Sequence, residues 1–428
     1  MVRLTEYEQK MLDGEFGRYK QIAMEHVVEF ANVMGAEELV KISKVHMCAG
    51  CPPLEYGHSD DFDESFRRTY LWTKENIGFE GFSPDVYIQT DGAAVDHYDP
   101  KPMYNSEELF KLNHERELRF AEGGASIVGS CTPYLNGWIL TRGETFMTTE
   151  SSNVLFSNSV FGAAGNANGM AACGWAAITG RGPKCGMHIP ENRLATVEVQ
   201  IKCKCDTPRD WDIIGYALGK LIIKHNNAIP LLTGEFHDID TIRLKRMFSA
   251  IATTSGLEMC HIEGITPEAP TKGIALGNKT DYPVLSITQE DYDNAVSCLC
   301  DPGSGPVQLV TVGCPHYSLQ EIRDAAKYIK GKKVHEGVRL IFWTSSSIRE
   351  AARLSGYLNT IEEAGATIGT NGCPLVQGFE CYRGVTGMVA DAAKQAHYNR
   401  SWLKGGKMYY GTMEQCVDAA VSGVWEEK

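Results

Sequence analysis

Three cysteines hold equivalent places in the sequence, because each one follows a short apolar run that ends in glycine. Cys131 follows ASIVG and a serine, Cys314 follows VQLVTVG, and Cys373 follows ATIGTNG, with a proline one or two residues later in each case. Runs this short, bounded by Gly and Pro, are typical of buried strands. Since α/β proteins build sites at the carboxyl ends of strands, we predict that the three thiols converge on one point.

Three converging thiols indicate iron. Iron–sulfur clusters are held by cysteine thiolates, and a following proline often accompanies them. A set of three ligands rather than four leaves one iron position open, where a Lewis acid can polarise a substrate hydroxyl or carboxylate. The close spacing of ferredoxin ligands is absent here, so only folding can bring these residues together. The alternative is three unrelated buried cysteines.

A second metal hypothesis rests on the run HMCAGC, which begins at His46. Its Cys48 and Cys51 have the C-x-x-C spacing that suits zinc. The sequence offers no second pair nearby to complete four ligands. Incidental cysteines in a loop explain the run equally well.

Composition argues against a nucleic-acid-binding, membrane-spanning or secreted protein. The chain has 428 residues, 14 of them cysteines, and a formal charge of -13. The acidic balance argues against a nucleic-acid surface. No apolar run is long enough to span a membrane, and the charged N-terminus lacks the core of a signal peptide. We therefore expect a cytoplasmic protein that acts on a small molecule, with its cysteines serving metal binding or catalysis rather than disulfides.

The pattern of elements predicts an α/β fold. Thr5 and Glu8 form a capping box that starts a helix, and a second helix covers residues 18–34. Further strands and helices follow, with strands at 40–45, 86–89 and 196–202, helices at 106–122, 210–225 and 238–254, and a small-residue loop at 162–169. After residue 306, strands and helices alternate as βαβαβ, which implies a parallel sheet.

Two regions are predicted from this pattern. Residues 1–305 form an N-terminal α/β region of one or two subdomains, with an insertion near 48–112. Residues 306–428 form the C-terminal βαβαβ domain. Parallel sheets of several α/β domains would then surround a central metal site.

A series of ordered motifs resembles the large subunits of the aconitase X family, a branch of the aconitase superfamily. The match runs over nearly the whole chain and includes SCTPY from Ser130, ESSN from Glu150, HIPENR from His188, HIEGITPE from His261 and GCPH from Gly313. The family includes dehydratases of cis-3-hydroxy-L-proline and of 5-phosphomevalonate. The resemblance therefore implies an aconitase-like core and a hydro-lyase that acts on a small hydroxy acid.

The resemblance also implies a cofactor and a partner. Iron, as a 4Fe-4S or 2Fe-2S cluster or as a single ion, would be held by Cys131, Cys314 and Cys373. Family members need a small swivel domain, which is absent from this sequence, so we expect a separate small subunit. That subunit would supply a serine as the general base.

The remaining site residues are predicted from their place in the matching motifs. Ser151, Ser152, His46 and Lys394 are the candidate catalytic side chains. The candidate substrate-binding side chains are Asn153, Asn158, Asn166, Thr132 and Arg383, with Lys394 or Arg383 pairing a substrate carboxylate.

Two departures from the family pattern leave the substrate open. The loop after Ala163 reads AGNAN where the family has arginine and threonine, so neither Ala164 nor Ala167 can bind an anion. The segment before Lys394 reads ADAA rather than threonine-asparagine-serine. Two alternatives therefore stand beside the dehydratase: an isomerase that dehydrates and rehydrates, and a non-catalytic metal-binding paralogue.

Overall fold

The structure is a computed structural model that describes residues 1–48, 81–89, 120–225, 228–375 and 379–427, together with positions 111, 114, 117 and 118. Cys51, most of the predicted helix at 106–122 and most of the predicted insertion lie outside the described residues. The bounds below refer to the described part of the chain.

The N-terminal helices form as predicted. Helix α1 (Glu6–Leu12) begins at Thr5, whose side chain and that of Glu8 complete the capping box. Helix α2 (Arg18–Val33) buries an apolar face of Ala23, Met24, Val27 and Ala31. The single strand predicted at 40–45 is wrong in detail, because β1 (Leu39–Lys41) and the next strand are separated by residues 42 and 43.

The first sheet has five parallel strands in the order β4–β3–β2–β5–β6. These are β2 (Lys44–Cys48), β3 (Asp85–Gln89), β4 (Ser126–Ile127), β5 (Thr145–Thr148) and β6 (Ala164–Ala167). Strand β6 replaces the loop predicted at 162–169. Its small residues are needed for packing, since a Cβ at Gly165 would lie 2.6 Å from the ring of Phe146.

Helices cover this sheet and lead into the second one. Helix α3 (Ser151–Phe156) continues as a π-helical turn (Ser157–Phe161), and α4 (Met170–Thr179) packs on α2. Strand β7 (Arg181–Pro183) then pairs antiparallel with β1. Short 3-10 turns cover Pro133–Leu135, Gly186–His188, Pro190–Arg193 and Arg400–Trp402.

The second sheet has four parallel strands in the order β10–β9–β8–β11. They are β8 (Val197–Ile201), β9 (Pro230–Thr233), β10 (His261–Ile262) and β11 (Val284–Ile287). Its helices are α5 (Pro208–Ile222), α6 (Thr241–Ser255), α7 (Lys272–Ala275) and α8 (Gln289–Leu299). Helices α5 and α6 pack tightly because Gly215 and Gly219 have no side chains to hold them apart.

The third sheet confirms the βαβαβ prediction and extends it to five parallel strands in the order β15–β14–β13–β16–β17. After β12 (Gly305–Pro306), the strands are β13 (Leu309–Val312), β14 (Arg339–Trp343), β15 (Thr367–Gly369), β16 (Gly387–Ala390) and β17 (Lys407–Tyr410). Strand β18 (Val424–Trp425) pairs antiparallel with β12.

The helices that pack with the third sheet come from residues 319–422. They are α9 (Leu319–Ile329), α10 (Ser346–Leu354), α11 (Tyr357–Glu363), α12 (Phe379–Tyr382), α13 (Ala393–Asn399) and α14 (Met413–Ser422). The one helix predicted at 346–358 is two helices, because Gly356 adopts a φ of 77° between them.

One apolar cluster joins the three sheets. It contains Phe146 of the first sheet, Trp211 and Phe248 of helices α5 and α6 beside the second sheet, and Trp343 and Tyr410 of the third sheet. The predicted α/β class with parallel sheets is therefore confirmed, whereas the division at residue 305 stays a prediction. No helix in the described part of the chain has the length and apolar character needed to cross a membrane.

Candidate functional site

A cavity of about 310 Å³ lies where the first and third sheets face helix α6. Four cysteines contribute to its wall: Cys48, Cys131, Cys314 and Cys373. Its other polar side chains are those of Gln89, Thr149, Glu150, Ser151, Ser152, Ser249 and Lys394. The three cysteines predicted to converge thus line one partly open cavity.

Strand ends place the thiols as the sequence suggests. Cys48 is the last residue of β2, and Cys314 comes two residues after β13. Cys131 and Cys373 each come four residues after their strands, β4 and β15. Gly129 lets two of these loops approach closely, because it has a φ of 55° and a Cβ there would lie 3.0 Å from the Cα of Asn371.

His316 connects all three cysteine loops. Its Nε2 lies 3.0 Å from the carbonyl oxygen of Gly372, and its Nδ1 lies 3.1 Å from Oγ of Ser130. Because a carbonyl oxygen only accepts, Nε2 carries the proton and Nδ1 accepts from the serine hydroxyl. Burial, aided by the Lys245 ammonium, lowers the pKa of His316 to about 4, so the ring is neutral. The loops of Cys131, Cys314 and Cys373 are therefore tied together by one side chain.

The thiols offer the donor type that iron needs. Burial raises the pKa of Cys131 to about 11 and that of Cys314 well above its usual value. Among the described residues, no three His, Cys, Asp or Glu side chains form a ready coordination shell. A metal would have to displace the thiol protons, as metal binding commonly does. Three thiols on one wall fit an iron or iron–sulfur group by donor type.

A buried ion pair stands beside the thiols. Lys394 Nζ lies 3.0 Å from Oε1 of Glu150, and both side chains are about nine-tenths buried. Burial alone would raise the pKa of the Glu150 carboxyl, but Lys394 and Ser152 outweigh it and hold the pKa below its usual value. Burial would likewise lower the pKa of Lys394, yet Glu150 and the nearby thiols hold it above its usual value. The pair is charged and places an ammonium group on the wall.

The neighbouring backbone holds this pair in position. Glu150 caps α3 by accepting from the amide of Ser152 at 3.2 Å and from its hydroxyl at 3.0 Å. At the start of α13, the amide of Ala393 donates to Asp212 at 2.6 Å. Asp212, on helix α5, thus fixes the position of Lys394 by bonding to the residue before it.

The predicted His46 is buried next to the cavity but is not part of its wall. Its Nδ1 is 3.2 Å from Oγ1 of Thr148 and 3.4 Å from Nδ2 of Asn153. Burial lowers the pKa of His46 to about 4, so this ring is also neutral. Asn153 contacts His46 and Ser157 and, like His46, does not line the cavity.

Two further predicted amides bond to the backbone instead of facing the cavity. Asn158 donates to the carbonyl oxygens of Gly165 and Glu258, both at 2.8 Å. Asn166 donates to the carbonyl of Cys185 at 3.1 Å and accepts from the amide of Met187 at 2.7 Å. These bonds fix the edge of the first sheet.

The remaining predicted residues lie in three different places relative to the cavity. Thr132 is buried, and its hydroxyl lies 2.9 Å from that of Ser130, so it supports the Cys131 loop. Ser151 and Ser152 line the cavity, and their catalytic role stays a prediction. Arg383 is exposed and lines another cavity together with Trp402.

Sequence reasoning missed several residues at or beside the site, among them Thr149. Glu150 carried a signal, as an acidic residue before a helix start, and so did His316, which follows Cys-Pro. Gln89 could have been found at the end of a predicted strand. Ser249 lies inside a helix, where periodicity indicates burial and nothing more.

Comparison with known families supports this picture over most of the chain. Sequence models described as the first, second and third domains of aconitase X match residues 1–191, 195–297 and 307–422. The phosphomevalonate dehydratase large subunit of Methanothermobacter thermautotrophicus is 31% identical, over 93% of this chain and 94% of that protein. The cis-3-hydroxy-L-proline dehydratase of Pseudomonas aeruginosa is 29% identical, over 98% of this chain and 70% of that protein.

A solved structure agrees with the fold. The crystal structure of aconitase X from Thermococcus kodakaraensis, in its holo-form, superimposes with a TM-score of 0.80 at 25% sequence identity. The match covers 98% of this chain and all of that one.

Proposed function

This chain belongs to the aconitase X family, and on that premise we propose that it is a hydro-lyase that dehydrates a small hydroxy acid with iron held by Cys131, Cys314 and Cys373. The observation that carries the proposal is that these thiols, from three separate loops, line one cavity with a buried ammonium group. Relatives named as dehydratases support the reaction class.

Bound iron, as a single ion or a cluster, would supply a Lewis acid for the leaving hydroxyl. The other roles fall to side chains of this chain. Lys394 presents its ammonium group to the substrate carboxylate, and Glu150 keeps that ammonium charged and fixed. The hydroxyls of Ser151 and Ser152, at the N-terminal end of α3, orient the substrate. His316 keeps the three cysteine loops in register and takes no part in proton transfer, because both of its ring nitrogens are already hydrogen-bonded to the protein.

A small subunit is the expected partner. The archaeal relatives are named as large subunits, and such a name implies a smaller companion. We propose that a separate swivel-domain chain covers the cavity and supplies the serine base. Water would then be excluded from the site only in the assembled complex.

The test is anaerobic reconstitution of the purified chain with iron and sulfide, followed by iron analysis and absorbance spectroscopy. We expect bound iron with charge-transfer absorbance, lost in Cys131→Ser, Cys314→Ser and Cys373→Ser. Cys173→Ser is the matched control, since Cys173 is a buried thiol in α4 away from the cavity. A chain that binds no iron under these conditions would defeat the proposal.

Turnover is then measured with the small subunit present, using 5-phosphomevalonate and cis-3-hydroxy-L-proline as the first probes. Loss of one water from either compound supports the dehydratase. Incorporation of solvent oxygen into a rearranged hydroxy acid would indicate the isomerase instead. Bound iron without turnover on a panel of hydroxy acids would indicate the non-catalytic paralogue.

A further inference from the structure

Ser249 is the described residue of the region around the second sheet that lines the cavity. It lies on α6, in the part of the chain between residues 195 and 297, whereas the other described residues of the wall come from the first and third regions. Its side chain is 1% exposed. Helix α6 therefore places one hydroxyl into a site otherwise built by the other two sheets.

This hydroxyl differs from the others on the same helix. Serine and threonine inside helices usually donate to the carbonyl four residues earlier. Thr253 does so to Ser249 at 2.9 Å, and Ser255 does so to Ile251 at 2.7 Å. The Oγ of Ser249 is buried without any hydrogen-bond partner in the described part of the chain. A buried hydroxyl in this state costs free energy unless something else binds it.

The other polar side chains of the wall show that the unpaired hydroxyl is a particular feature of Ser249. Lys394 and Ser152 both bond to Glu150, and Thr149 accepts from the amide of Cys48 at 2.7 Å. Among the described side chains that line the cavity, Ser249 alone has a buried polar atom left unpaired. A molecule in the cavity that carries an acceptor oxygen would satisfy it.

We propose that Ser249 binds the substrate, with its Oγ–H donating to a carboxylate oxygen of the hydroxy acid. This assignment rests on the proposed function. The hydroxyl and the ammonium of Lys394 then offer two donors to one anionic group. A hydrogen bond to a charged group is stronger than one between neutral groups, so the loss of Ser249 should weaken binding more than it slows the chemical step.

The experiment compares Ser249→Ala with Ser255→Ala, which removes a partnered hydroxyl from the same helix. In the substrate-free protein, Ser249→Ala should leave the unfolding midpoint unchanged or raise it by about 1–2 °C, because an unpaired buried group is removed. Ser255→Ala should lower the midpoint. A fall for Ser249→Ala as large as that for Ser255→Ala would overturn the proposal, since the hydroxyl would then be structural.

The second arm measures steady-state kinetics in the complex with the small subunit, on whichever of the two probe compounds it dehydrates. Ser249→Ala should raise KM about 10- to 100-fold with a much smaller change in kcat, while Ser255→Ala should change KM little. An unchanged KM for Ser249→Ala would overturn the proposal. A wild-type complex that turns over neither compound would count against the proposed function. The unfolding experiment needs no substrate, so it would still test whether the Ser249 hydroxyl has a structural role.

Discussion

His316 donates through Nε2 to the carbonyl oxygen of Gly372 at 3.0 Å, so the loop after β13 is bonded to the residue directly before Cys373. The opposite ring nitrogen accepts from Ser130, the residue directly before Cys131. The ring is completely buried and neutral. The three cysteine loops are therefore held together by hydrogen bonds that require no metal.

Replacing this ring should harm both stability and iron binding. His316→Phe keeps an aromatic ring and removes both hydrogen bonds, leaving Ser130 and Gly372 without this partner. Because phenylalanine is also somewhat larger than histidine, we expect a loss of about 2 kcal/mol or more in the free energy of unfolding and a lower iron content after reconstitution. Chemical denaturation and iron analysis check this. The control is His335→Phe at an exposed position, and equal iron content in both variants would contradict the prediction.

The Lys394–Glu150 pair should show strong coupling. Either Lys394→Met or Glu150→Gln leaves its partner buried without a counter-charge, and breaking a buried pair typically costs about 3–5 kcal/mol. The double variant should be less destabilised than the sum of the two single variants. A double-mutant cycle by denaturant unfolding measures this coupling. Simple additivity would show that the two side chains act independently.

The same pair should matter for turnover in a different way. Lys394→Met should reduce kcat/KM about 100-fold or more, because the variant lacks the ammonium group that we propose binds the substrate carboxylate. Arg383→Met is a suitable control, since Arg383 lies at another cavity, and it should leave kcat/KM nearly unchanged. If the Arg383 variant were the inactive one, the carboxylate would have to bind elsewhere.

Asp212 should make stability depend on pH. Burial raises its pKa from 3.8 to about 7, although Arg246, the Ala393 amide and Tyr410 oppose the shift. Because the folded state holds this proton more tightly than the unfolded state, the stabilisation is full below about pH 4 and is lost as the pH rises toward 7. The stability of wild type relative to Asp212→Asn should therefore fall between pH 5 and 7.

Asp210→Asn provides the control for this pH series. Burial would raise the pKa of Asp210, but hydrogen bonds from Thr207 and Tyr292 outweigh it and lower the pKa. Its contribution is lost only as the pH falls through that lowered pKa, so it is constant between pH 5 and 7. The relative stability of this variant should be flat across the window, and a slope equal to that of Asp212→Asn would contradict the assignment.

The sequence predicted the cysteine loops well because glycine and proline mark where each strand ends. It predicted β4 too long, since the left-handed backbone of Gly129 takes the chain out of the sheet before Cys131. It missed β6 because AGNA lacks β-branched residues, whereas the structure shows that Gly165 in this strand leaves room for the ring of Phe146.

The amide side chains show a second limit of sequence reasoning. Asn158 and Asn166 were predicted to bind substrate, but an amide can serve the backbone equally well, and only the fold decides which. The substrate-binding roles of these residues stay predictions without support from their positions. The zinc hypothesis also stays a prediction, because Cys48 lines the cavity while Cys51 lies outside the described residues.

The bonds of His316 also bear on how the protein matures. The uncharged ring of His316 bonds loops of two different sheets to one another. The three cysteine loops are therefore already joined in the folded polypeptide. Cofactor insertion would then act on loops whose hydrogen bonds to one another do not depend on the metal.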